Sequence, residues 1–63
     1  MMVFIQITFT AGNRGLIRAD CIQEVGERED HTFIRMLYGG ESYTTAVRDS
    51  FDDVHRNIEN AIR

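Results

Sequence analysis

The hydrophobic pattern of this chain changes period once, at Ser50. Before it, short runs alternate apolar and polar residues between turn signals, the period of two that a half-buried strand requires. After it, Phe51, Val54, Ile58, Ala61 and Ile62 recur at helical spacing. The pattern predicts an α+β fold in one domain, 1–63. An antiparallel sheet of about five short strands, open or curled into a small barrel, precedes one C-terminal helix. The expected strands are 2–10, 15–19, 22–28, 31–38 and 41–47, and the expected helix is 50–62.

Each boundary has a local reason. Val3, Ile5, Ile7 and Phe9 take one face of the first strand, with Phe4, Gln6, Thr8 and Thr10 opposite. Ala11 to Gly15 reads as a hairpin loop, because glycine and asparagine tolerate positive φ. Asp20 is placed to cap one helical turn or to form an Asx turn. Ile22 and Val25 are three apart, which calls for a bulge or a late strand start. Glu29-Asp30, in the charged run Glu27 to Asp30, reads as a solvated turn. Gly39-Gly40 fits the two-residue type I′ or II′ hairpin.

Ser50 should cap the helix by accepting from the Asp53 amide, with Asp53 standing in for the Glu of a capping box. Asp49, Asp52 and Asp53 suit the positive end of the helix dipole. Asp52–Arg56 and Glu59–Arg63 are i,i+4 pairs in the favoured order. Phe51, Val54, Ile58 and Ile62 should lie on the sheet.

Strands one and four read as apolar on both faces, yet the chain carries one helix. The leftover face, with Phe4, Phe33 and Leu37, is the candidate association surface. A second copy covering it is favoured over a closed monomeric barrel, because two-fold dimers are the commonest oligomers. Length points the same way. Sixty-three residues bury only about 60% of their unfolded surface. Cys21 is the only cysteine, so no internal disulfide can help.

Composition narrows the chemistry. Net charge is −3 with acids and bases interspersed, which argues against nucleic acid as a non-specific partner. No stretch approaches the roughly 18 apolar residues of a membrane span, so no membrane partner is expected. The first nine residues lack the basic start of a signal peptide, and with one thiol this points to the cytoplasm. Cys21, His31 and His55 show no zinc spacing, and no cofactor is expected. Cys21 with either histidine forms no known nucleophile signature and reads as a small buried residue. The aspartates at 49, 52 and 53 match no calcium loop. Neither glycine turn leads into a helix, as a phosphate loop must. Arg14, Arg18, Arg28, Arg35 and Arg48 with Phe4, Phe33, Tyr38 and Tyr43 sketch a surface for single-stranded nucleic acid, but interleaved acids favour a solvated reading.

In layout the chain resembles the small bacterial flagellar proteins of the FlbD/SwrD-like family. The matching positions are Ile5-Gln6-Ile7-Thr8, Gly12, Ala19-Asp20-Cys21-Ile22, Ile34 with Gly39-Gly40, and Val47 through Val54. The chain lacks the lysines usual near those turns and has a longer third hairpin. The resemblance implies a non-enzymatic, oligomeric accessory protein and carries over no catalytic residue. The expected function is therefore a non-catalytic, self-associating accessory protein that binds an unidentified protein partner. A small barrel that binds single-stranded nucleic acid is the alternative.

Overall fold

A computed structural model describes residues 3–62. Met2 and Arg63, assigned above to the first strand and to an ion pair, lie outside the described residues. The elements are β1 (Phe4–Thr8), β2 (Arg14–Arg18), a 3-10 turn (Ala19–Cys21), β3 (Ile22–Glu27), β4 (Thr32–Tyr38), β5 (Glu41–Val47) and α1 (Phe51–Ala61). The fold is α+β, with five antiparallel strands in two sheets and one C-terminal helix.

The strands do not form one sheet, and closure into a barrel is not found. β1 and β2 make a two-stranded sheet; β3, β4 and β5 make a three-stranded one. Among the described residues one isolated bridge, Phe9 to Val47, joins them. Around it the Arg48 amide donates to the Thr8 carbonyl at 2.8 Å, and Arg48 Nε donates to the Thr10 carbonyl at 3.1 Å. Asp49 does not serve the helix dipole alone, because its Oδ1 accepts from the Thr8 amide at 2.6 Å.

The inner faces share one core. Ile5 and Ile7 from β1, Ile17 from β2, Ile34 and Met36 from β4, Val47 and Val54 are all buried. α1 supplies Val54 at full burial and packs Ile58 and Ala61 against the cluster. The helix thus covers the inner face of β1. Ile62 does not join it: α1 ends at Ala61, and Ile62 sits at the C-cap, 69% exposed.

The turns follow their residues. Gly39 and Gly40 both have positive φ, 54° and 84°, as a type I′ turn requires. The β3–β4 register shifts between Ile22 and Glu24, which absorbs the three-residue spacing of Ile22 and Val25. The 3-10 turn forms, but Asp20 does not cap it; its carboxylate binds Arg18 instead. Ser50 Oγ does accept from the Asp53 amide, at 3.1 Å. The Asp53 carboxylate turns to Arg56 at 3.2 Å, so the i,i+3 pair replaces the expected Asp52–Arg56 contact.

Candidate protein-binding face

The β1–β2 hairpin carries Leu16, the most exposed large apolar residue of the described strands, and the ladder explains how. The Ala19 amide donates to the Val3 carbonyl and the Phe9 amide to the Asn13 carbonyl, each at 2.8 Å. Antiparallel bonding alternates along a strand. So Val3, Ile5, Ile7 and Phe9 direct their backbone groups at β2 and their side chains inward. Phe4, Gln6 and Thr8 do the reverse on both counts. On β2, Arg14, Leu16 and Arg18 direct their backbone groups away from β1, along an edge that no other strand pairs among the described residues. Their side chains lie on the outer face: Arg18 opposite Phe4, Leu16 opposite Gln6, and Arg14 opposite Thr8.

Leu16 is 67% exposed and Phe4 48%. A shallow depression of about 440 Å³ is lined by Gln6, Arg14, Gly15 and Leu16. A second groove, about 300 Å³, runs between β1 and the Asn57 and Asn60 side of α1. It adjoins the other edge of β1, where Asp49 and Arg48 already occupy the backbone groups of Thr8.

The charge at the hairpin is one-sided. All ten acids lie from Asp20 onward, so the interspersion of charge fails in the first nineteen residues, where Arg14 and Arg18 stand alone. Arg18 is forked onto Asp20, with Nη2 to Oδ2 at 2.6 Å and Nε to Oδ1 at 3.1 Å. That hydrogen bond holds the Asp20 carboxyl below the usual carboxylate range. Arg14 has no acidic partner among the described residues.

Of the three residues assigned to the association face, Phe4 is on this hairpin. Phe33 and Leu37 lie on the outer side of the other sheet, on either side of Arg35. Leu37 is 42% exposed. Phe33 is half-buried: the Arg28 guanidinium stacks over its ring at 4.9 Å from the centroid, and Gly26 lies beneath it. Leu16 was not legible as a face residue. The short run Leu16-Ile17-Arg18-Ala19 fits neither face assignment clearly. The absence of acids before Asp20 was the available signal.

The other candidate groups are dispersed. Cys21 lies in the 3-10 turn, His31 Nδ1 sits 2.7 Å from Asp30 Oδ1, and His55 is on α1, 3.6 Å from Glu59. Among the described residues no three His, Cys, Asp or Glu side chains are placed to hold a metal ion. Four of the five sheet arginines are engaged within the chain. Arg18 holds Asp20, Arg35 holds Glu24, Arg28 covers Phe33 and Arg48 binds the Thr10 carbonyl. Among the described residues no helix is long and apolar enough to cross a membrane.

The fold and this face define the class: a small α+β protein of antiparallel sheets, with an exposed apolar face on its N-terminal hairpin. Comparison with protein families, curated proteins and solved structures gives no match.

Proposed function

We propose that this is a non-catalytic accessory protein of the cytoplasm that acts by protein–protein binding and self-associates as a homodimer. The observation that carries the reading is the outer face of β1–β2, where Phe4 and Leu16 stay exposed while their inward neighbours Ile5 and Ile17 are buried. Exposed apolar patches of this kind mark interaction sites. The unpaired Cys21 suits a reducing compartment. The layout shared with the bacterial FlbD/SwrD-like proteins points to the same non-enzymatic role.

A two-fold dimer would pack these faces together and would not join the β2 edges. Antiparallel pairing of β2 with its own copy about Leu16 sets Arg14 opposite Arg18 twice, and like charges directly opposite destabilise a ladder. A two-stranded face is smaller than the ~800 Å² per partner of a standard interface, so the dimer should dissociate on dilution. Sedimentation equilibrium from low to high micromolar concentration tests this. The expected result is a monomer–dimer equilibrium that Leu16→Glu shifts to monomer without loss of circular dichroism. A wild-type monomer throughout the range would end the self-association reading.

A further inference from the structure

We propose that the free edge of β2 takes up an extended polypeptide segment whose alternate residues run acidic, apolar, acidic. The inference rests on the reading of the β1–β2 hairpin as the binding face and specifies a partner for it. Three observations converge on β2. Its outward backbone groups, at Arg14, Leu16 and Arg18, have no strand partner among the described residues. Between the two arginines Leu16 stands 67% exposed beside a depression it shares with Arg14. The hairpin contains no acid, while Arg14 lacks an acidic partner among the described residues.

An added strand satisfies the backbone groups and sets its alternate side chains against the Arg14–Leu16–Arg18 row. Opposite charges directly across a ladder stabilise it. In antiparallel register an acid meets Arg14, an apolar residue meets Leu16, and a second acid meets Arg18. The second acid must compete with Asp20 for the Arg18 guanidinium. Asp20 therefore acts as an internal competitor, and its removal should tighten binding. Edge addition leaves the outer side chains in place, so it is compatible with face packing. Nucleic acid fits less well, because it offers no ladder to the β2 backbone and finds one exposed ring, Phe4, on this face.

The test is an amide NMR titration of the full chain with the capped peptide Thr-Glu-Thr-Ile-Thr-Glu-Thr. Shift changes centred on Arg14–Arg18 are expected, with the Leu16 amide gaining protection from exchange. Arg14→Glu should weaken binding roughly threefold to tenfold, and Asp20→Asn should strengthen it by a similar factor. Lysine in place of glutamate, or N-methylation of the amides facing β2, should abolish it. Absence of shifts at millimolar peptide would overturn the inference. So would equal binding of the lysine or N-methylated peptide, or a response to oligothymidylate in place of the peptide. A dimer in sedimentation that ignores the peptide overturns this inference and leaves self-association standing; a monomer that binds the peptide does the opposite.

Discussion

Asp49 is the most informative single position for the fold, because two different roles can be assigned to it and they predict different mutational series. As an acid just before the helix, it would act through the dipole, worth about 0.3–1 kcal/mol and lost equally in Asp49→Asn and Asp49→Ala. In the structure its carboxylate accepts from the Thr8 amide at 2.6 Å, forty-one residues away in sequence. With the Arg48 amide on the Thr8 carbonyl, this fastens β1 to the end of β5 where one bridge joins the sheets. A hydrogen bond to a charged group contributes about 1.5–3 kcal/mol, and a neutral one about 1 kcal/mol. Thr8 is half-buried, so water recovers part of the loss, and Asp49→Ala should cost about 1.5–2 kcal/mol. Asp49→Asn keeps an acceptor and should cost about 0.5–1 kcal/mol. A domain of this length holds roughly 3–9 kcal/mol in total, so the alanine variant loses a large share. Urea unfolding followed by circular dichroism reads the difference. At about 1 kcal/mol per molar, the alanine midpoint should fall by about 1.5–2 M. Faster exchange of the Thr8 amide should accompany it. Equal costs for the two variants, or an alanine cost under about 0.5 kcal/mol, would refute the stitch and restore the dipole role.

Two further predictions concern the three-stranded sheet and the surface ion pairs. Gly26→Ala would drive a methyl into the Phe33 ring, which the Arg28 guanidinium also covers, and should cost about 1–3 kcal/mol by overpacking; Phe33→Leu in the same chain should recover part of it, and a neutral Gly26→Ala by thermal unfolding would contradict the contact. Asp20 and Asp30 have carboxyls held low by side-chain hydrogen bonds from Arg18 and His31. Their folded pKa values lie below the unfolded ones, so their contribution is complete above about 3.9 and is lost as pH falls through the lower, folded values. Stability measured against pH should decline less steeply on the acid side in Asp20→Asn with Asp30→Asn, and an unchanged acid limb would contradict the assignment.

Much of the fold is written in short-range signals. Gly39-Gly40 specifies its own turn, because two consecutive positive φ values cost little only at glycine. Ser50 specifies where the helix starts, and the Val54–Ile58–Ala61 spacing specifies which side it buries, while Phe51, expected on the same side, is not part of the core. The odd spacing of Ile22 and Val25 specifies a bulge. These features need only a few neighbouring residues, so they survive translation from pattern to structure. Asp49 does not. Local rules assign it to the helix start, and its carboxylate also serves the Thr8 amide, a partner forty-one residues away that only the fold supplies. Asp20 is a choice between two local options: its carboxylate takes Arg18, two residues back, in place of capping its own turn.

The two-faced strands show the same division between pattern and context. Alternation correctly separates Phe33 and Leu37 from Ile34 and Met36, but it cannot report what lies above each face. Phe33 finds cover within the chain, from Arg28 and against Gly26. Leu37 does not, and neither does Phe4. Splitting the five strands into two sheets also moves Phe4 onto a different surface from Leu37. The apolar excess that the pattern revealed is therefore not one leftover face. It is divided between two sheets, and its N-terminal part sets Phe4 on one face with Leu16, a residue whose outward position follows only from the β1–β2 register. That register also gives the face its polarity. Arg14 and Arg18 bracket Leu16 on the unpaired edge, so charge as well as apolar area selects what can join it.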